Sequence, residues 1–83
     1  MKYSKIPALS GIQLKEILEK DKWIAQRFGR HGVSLKKQFK NITRVTVIPY
    51  TKESLHKGTL MAILGYKQTN LRKKGLLNLL NKH

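Results

Sequence analysis

The 83-residue chain carries 18 Lys and Arg against 4 Asp and Glu, which gives a formal net charge of +14. The excess lies after residue 23, where thirteen basic residues face a single acidic one, Glu53. Because such charge density opposes compaction by self-repulsion, we expect a polyanionic partner. The absence of cysteine excludes a disulfide framework and thiolate metal sites. No apolar run approaches the ~18 residues of a membrane span, so we expect one small cytoplasmic domain that does not contact membranes.

The first predicted element is a helix over residues 10–20. Ser10 and Gln13 have the spacing of a capping box, in which each side chain bonds the backbone amide of the other. Glu16 and Lys20 have the spacing of a favourable ion pair one turn apart. The helix presents an apolar stripe, formed by Leu14, Ile17 and Leu18.

A three-stranded sheet is predicted over residues 23–48. A short aromatic-rich strand follows Trp23, which we assign to the core, and Gly29 and Gly32 bound the turn after it. The second strand alternates apolar and polar residues, and His31 falls at its entry, in the register of the apolar positions. Those positions are Val33, Leu35 and Phe39.

The third strand is a β-branched run that begins near Arg44 and closes at Pro49. Lys40-Asn41 is the predicted hairpin tip before it. A second helix is predicted over 58–64, with Gly65 as its C-cap. A third helix over 70–81 is capped by Thr69 or Asn70.

Three cations occupy the first turn of that last helix: Arg72, Lys73 and Lys74. The helix dipole disfavours positive charge at this end. Such departures from local preference often mark functional surface, and an apolar flank beside them would suit an acidic protein partner.

These elements give the order α-β-β-β-α with an additional short C-terminal helix. A three-stranded antiparallel sheet in this order can be covered by helices on one side, so the predicted fold class is α+β. The same order is found in the double-stranded-RNA-binding fold.

Several segments, in this order, resemble the HicA-type toxins of bacterial and archaeal toxin–antitoxin modules. Residues 7–23 resemble the opening of that family, and Gly29-Arg30-His31-Gly32 resembles its Gly-Ser-His-His element, with Arg30 and Gly32 in place of Ser and the second His. Residues 44–49 resemble the third strand of the family, and residues 57–64 resemble its second helix.

The resemblance implies a double-stranded-RNA-binding-like fold and ribosome-independent cleavage of mRNA, with His31 as the catalytic histidine. It implies no cofactor. It also implies neutralisation by a HicB-type antitoxin in a hetero-oligomer. We expect an acidic antitoxin to cover His31 and Arg30, with the cations of the last helix as a further docking surface.

Cleavage of RNA without a metal needs a base for the ribose 2′-hydroxyl proton, an acid for the leaving 5′-oxygen and positive charge near the phosphorus. Imidazole suits proton transfer near neutral pH. Four cations are close to His31 in sequence and are expected near the scissile phosphate: Arg27, Arg30, Lys36 and Lys37. The alternative reading is a strand-entry histidine bonded to backbone.

Other polar residues are weaker candidates. His56 is expected to be solvated in a loop, and His83 to fray at the C-terminus. The dispersed histidines and acids show no metal-ligand spacing. Backbone amides at Lys57 and Thr59 either bind a phosphate or form a plain loop-to-helix junction.

Tyr50 and Tyr66 either stack on bases or pack against the protein. Two other functional classes stay open: a non-catalytic RNA-binding module of the same fold, and a basic DNA-associated protein.

Overall fold

The computed structural model describes residues 3–82 and contains one helix, three strands and two further helices, in the predicted order. The elements are α1 (Gly11–Lys20), β1 (Ile24–Gly29), β2 (Gly32–Gln38), β3 (Thr43–Ile48), α2 (Lys57–Leu64) and α3 (Arg72–Lys82). The sheet is antiparallel with the order β1-β2-β3, so the α+β class is confirmed.

The N-terminus of α1 carries the predicted capping box. The Ser10 hydroxyl accepts from the Gln13 amide at 3.1 Å, and Gln13 Oε1 accepts from the Ser10 amide at 2.9 Å. These two bonds satisfy amides that have no partner within the helix.

The predicted ion pair between Glu16 and Lys20 is wrong. The pair on α1 is Lys15–Glu19, with 2.8 Å between Nζ and Oε1. The Lys15 ammonium is held near the ring of Phe28, whereas Glu16 and Lys20 are both exposed and have no packing to orient them.

The inner face of the sheet forms the core together with the helices. Strand register places Leu35 opposite Thr46, and Val33 opposite Ile48, and all four are buried. Trp23 is 2% exposed, which confirms its assignment to the core. The remaining buried apolar residues are Leu9, Leu14, Leu18, Leu60, Ile63, Leu64, Leu76 and Leu79.

Phe39 reaches only the margin of the core. Because β2 ends at Gln38, Phe39 lies beyond the ladder and packs edge-on against Trp23 at the margin of the core, 37% exposed. The Phe39 amide bonds the Ile42 carbonyl at 2.8 Å, which confirms Lys40-Asn41 as the hairpin tip.

The outer face of the sheet is open to solvent because α1 and α2 both pack against the inner face, with α3 against α2. Register places Ile24, Lys36 and Val45 in one outer row, and Arg27, Ser34 and Val47 in the next. Three apolar side chains of this face are about half exposed: Ile24, Val45 and Val47.

The junction between α2 and α3 differs from the predicted one. Gly65 is the C-cap of α2, as predicted, but its φ of −74° is not the left-handed conformation. Asn70 and Arg72 have φ of 55° and 62°, so α3 begins at Arg72, two residues later than predicted. The buried Thr69 hydroxyl bonds the Ile63 carbonyl at 2.7 Å and does not cap α3.

Among residues 3–82, no helix combines the length and apolar character needed to cross a membrane. The same residues contain no group of three or more His, Asp or Glu side chains arranged to hold a metal ion.

Candidate functional site

Arg30 and His31 form the two-residue turn that joins β1 to β2. Gly32, the first residue of β2, has a φ of 133°, which L side chains rarely adopt. A Cβ atom at Gly32 would also overlap the carbonyl group of Ile48. Gly32 therefore fixes the turn through its close approach to β3.

The other turn glycine has no such constraint. A Cβ atom on Gly29 would meet only the Gly32 carbonyl oxygen, at an ordinary 3.9 Å. Of the two turn glycines, Gly32 alone makes a close backbone approach, and the strand that it approaches is β3.

His31 is exposed and borders two surface depressions, one on each side of the turn. The outer depression, of about 280 Å³, opens onto the outer sheet face and is lined by Arg27, Ser34 and Val47 besides the four turn residues. The aromatic depression, of about 400 Å³, contains Phe28, Pro49, Tyr50 and Thr51 besides the same turn residues.

The aromatic depression holds an exposed pair of rings. The centroids of Phe28 and Tyr50 are 5.1 Å apart with the ring planes at 83°. The Lys15 ammonium lies 5.8 Å from the Phe28 centroid. The hydrogen bond from Lys15 to Glu19 raises the pKa of Lys15 above its usual value.

No acidic residue lines either depression among the residues the structure describes. The cations Arg27 and Arg30 border the outer depression together with His31. This arrangement combines an accessible imidazole, guanidinium groups and aromatic surface at one turn. Such a site can hold an anion, exchange a proton and contact a flat ring.

The structure brings only some of the predicted cations to His31. Lys36 shares the outer face with Arg27 and lies four residues along β2 from Gly32, or ~13 Å at the rise of a strand. It extends the cationic surface but does not border either depression.

Lys37 is not at the site. It points to the inner face at the far end of β2, where its Nζ lies 3.0 Å from Asp21 Oδ2 and 5.2 Å from the centroid of Phe39. The alternation of side chains along β2 turns it away from Lys36. Lys37 therefore does not border the turn that carries His31.

The predicted phosphate site at α2 is a separate surface. Lys57 is the first residue of α2 and Thr59 lies in its first turn, and neither borders the depressions beside His31. Lys57 instead lines an apolar groove of about 590 Å³, which Lys5 and Lys73 also border.

The three cations at the start of α3 are exposed, and none of them borders a depression at the turn. Lys73 belongs to the groove that contains Lys57. The predicted antitoxin-binding residues thus fall on two surfaces, one at the turn with Arg30 and His31 and one at the start of α3 with Arg72, Lys73 and Lys74.

The remaining candidates lie elsewhere. His56 occupies the N-cap position of α2, is exposed, and forms no capping hydrogen bond with its side chain. His83 lies outside the described residues. Tyr66 is 64% exposed but borders neither depression, so of the two tyrosines only Tyr50 lies beside His31.

Sequence reasoning did not identify Phe28 as a site residue. It counted this residue as one aromatic of an apolar strand, and the register indeed places it opposite the buried Val33. Phe28 lies next to a turn on an edge strand, and this position could have indicated a site residue. A ring there packs against the core on one side and faces solvent on the other.

Comparison of the chain with models of protein families, with curated proteins and with solved structures gives no match.

Proposed function

We propose that the protein is a metal-independent endoribonuclease that cleaves mRNA, with His31 transferring a proton at the scissile phosphate, and that it is the toxin of a type II toxin–antitoxin pair. The observation that carries the proposal is the exposed imidazole on a turn bordered by two acid-free depressions. The resemblance of the turn sequence to the histidine element of HicA-type toxins supports it.

The reaction uses the RNA's own nucleophile. The ribose 2′-oxygen attacks the adjacent phosphorus, the bond from phosphorus to the 5′-oxygen breaks, and the products are a 2′,3′-cyclic phosphate and a 5′-hydroxyl. One proton leaves the 2′-oxygen and one is delivered to the 5′-oxygen. His31 is exposed at the turn and would make one of these two transfers, which contribute typically ~10²–10⁴-fold to rate.

Arg27 and Arg30 supply the positive charge that the reaction needs. Both border the depression that contains His31, and a guanidinium can donate two parallel hydrogen bonds to phosphate oxygens. Charge that develops on the phosphate in the transition state is stabilised by these donors.

The fold supports an RNA substrate. The element order and the sheet covered on one side are compatible with the double-stranded-RNA-binding arrangement, and the net charge of +14 favours a polyanion. Lys36 continues the positive surface from the turn along the outer sheet face.

The test is cleavage of a synthetic RNA by purified protein in the presence of EDTA. We expect products that end in a 2′,3′-cyclic phosphate, no reaction with the 2′-deoxy substrate, and no cleavage by His31→Ala. The matched control is His56→Ala, which removes an exposed histidine away from the turn and should cleave like the wild type.

This test also separates the alternatives. RNA binding without cleavage by the wild type would indicate the non-catalytic RNA-binding module. Equal binding of RNA and duplex DNA without cleavage would indicate a basic DNA-associated protein.

An acidic antitoxin is the proposed protein partner. His31, Arg27 and Arg30 line a depression that contains no acidic residue among residues 3–82, so this surface attracts a protein of opposite charge. The HicB-type antitoxin implied by the resemblance would cover this surface and exclude RNA from it.

A further inference from the structure

We propose that Phe28 and Tyr50 form a stacking platform for one unpaired nucleobase beside His31, which makes the protein selective for single-stranded RNA. The proposal deepens the proposed function and depends on it for the chemistry at the turn. The binding it describes does not require cleavage, so the two can be tested apart.

The first observation is the exposure of the two rings. Phe28 is 60% exposed and Tyr50 is 45% exposed, although the chain has only six aromatic residues from which to build a core. The other close aromatic pair, Trp23 with Phe39, lies against the core instead. Tyr3 and Tyr66 are exposed as well, but Phe28 and Tyr50 contact each other and so form a continuous aromatic surface, which indicates a binding role.

The second observation is the position of the pair. Both rings line the depression that also contains His31, and the Lys15 ammonium lies near the Phe28 ring. Because the ring planes meet at 83°, a base stacked on the face of one ring would meet the edge of the other. Arg30, which lines the same depression, would then contact the phosphate backbone beside that nucleotide.

The platform is fixed before any ligand arrives. Phe28 belongs to β1, where it pairs with Val33. Tyr50 lies in the segment that passes against the start of α1, where Gly11 admits the Pro49 carbonyl and the Ile12 amide bonds the Thr51 carbonyl at 3.2 Å. Because both rings are carried on anchored backbone, little conformational freedom is lost on binding.

Selectivity for single strands follows from the geometry of stacking. In a duplex, both faces of each base are covered by its neighbours, so an exposed protein ring has no base face to contact. An unpaired base can leave the stack and lie on an aromatic side chain, and every base has such a face. The platform therefore predicts weak preference among sequences and strong preference for unpaired segments.

The experiment uses a single-stranded oligonucleotide with 2′-deoxyribose throughout, which cannot be cleaved, and with one 2-aminopurine whose fluorescence falls when it stacks. Wild-type protein should quench the fluorescence on binding. Phe28→Ala and Tyr50→Ala should each lose most of the quenching and bind ~10-fold more weakly, with the salt dependence unchanged. Tyr50→Phe, which keeps the ring, should behave as the wild type does.

Tyr66→Ala is the matched control, because it removes a tyrosine ring that is more exposed than Tyr50 and does not border the depression. If it lowers quenching as much as Tyr50→Ala, or if Tyr50→Ala binds and quenches like the wild type, the platform is refuted. Equal affinity for the corresponding duplex would also refute it. Circular dichroism checks that each variant is folded, and Tyr50→Ala, in a loop, decides the matter if Phe28→Ala unfolds.

Failure of the two proposals would look different. If the protein quenches 2-aminopurine through Phe28 and Tyr50 but never cleaves RNA, the stacking platform is supported and the nuclease activity is refuted. If the protein cleaves RNA through His31 but shows no quenching, the nuclease activity is supported and the stacking platform is refuted.

Discussion

The carbonyl oxygen of Ile48 occupies the space that a Cβ atom on Gly32 would need. This contact joins the turn that carries His31 to the end of β3, because Val33, the next residue, pairs directly with Ile48. The position of the candidate site is thus set by the pairing of β2 with β3. Flexibility of the turn itself is not required.

Gly32→Ala should therefore disrupt the turn. The new methyl group meets backbone atoms and the φ of 133° is unfavourable for any L side chain, so we expect a loss of roughly 2 kcal/mol or more in the free energy of unfolding. Urea denaturation gives this value. Gly29→Ala is the matched control in the same turn and should change stability by less than ~1 kcal/mol. Equal losses in the two variants would contradict the argument.

His31→Ala should keep the fold and the affinity for RNA but lose cleavage. The side chain is exposed and no core residue depends on it, so truncation leaves the sheet intact. Thermal unfolding and salt-dependent RNA binding should match those of the wild type. Cleavage by the variant, in a preparation free of contaminating nuclease, would remove His31 from the mechanism.

The sequence predicted the elements well because their signals are local. The capping box at Ser10 and Gln13 acts within three residues of chain. Apolar alternation in β2 likewise identified Val33 and Leu35 as core. Helix boundaries were less accurate at α3, where left-handed backbone at Asn70 and Arg72 delays the start.

The composition of the site was harder to predict because it depends on which face each residue occupies. Lys36 and Lys37 are neighbours in sequence and equally close to His31, yet the pleat sends them to opposite faces. Phe28 and Tyr50 are 22 residues apart and meet only through the sheet and the segment after β3. Sequence spacing alone does not reveal that contact.

Lys36 and Lys37 should differ in their effect on RNA binding. If ~6 cations contact phosphates of a single strand, the slope of log K against log salt is about −4, and each lost contact reduces it by about 0.7. Lys36→Ala, on the open outer face, should show that reduction. Lys37→Ala should leave the slope unchanged, because its ammonium is paired with Asp21. The opposite result would place RNA on the inner edge of the sheet.

Thr69 should contribute to stability through its buried hydroxyl. The hydroxyl donates to the Ile63 carbonyl at 2.7 Å and accepts from the Leu71 amide at 3.3 Å, so it connects the end of α2 to the approach of α3. Thr69→Val keeps the shape but leaves the Leu71 amide without this acceptor. The Ile63 carbonyl loses one of two donors and keeps the Thr69 amide at 3.0 Å, so we expect a loss of about 1 kcal/mol in urea denaturation. Thr51→Val, at an exposed loop residue, serves as the control, and an equal loss there would contradict a specific role for Thr69.

The last prediction concerns the acidic antitoxin. If this protein covers the turn, it competes with RNA for the same cations, so the preformed complex should bind RNA far more weakly than the free chain does. Arg30→Glu should lower the affinity for RNA and the affinity for the antitoxin together, because Arg30 borders both depressions. Because surface charge speeds association, Arg30→Glu should bind the antitoxin with a lower association rate constant, measured by surface plasmon resonance.

The surface at the start of α3 provides the contrast. Lys73→Glu changes a cation of the separate apolar groove. It should leave the affinity for RNA within about twofold of the wild type. It should lower the affinity for the antitoxin if the antitoxin also contacts the groove. The decisive measurement is RNA binding by the preformed complex. If the complex binds RNA as tightly as the free chain does while cleavage is silent, the antitoxin acts from elsewhere and occlusion of His31 is the wrong mechanism.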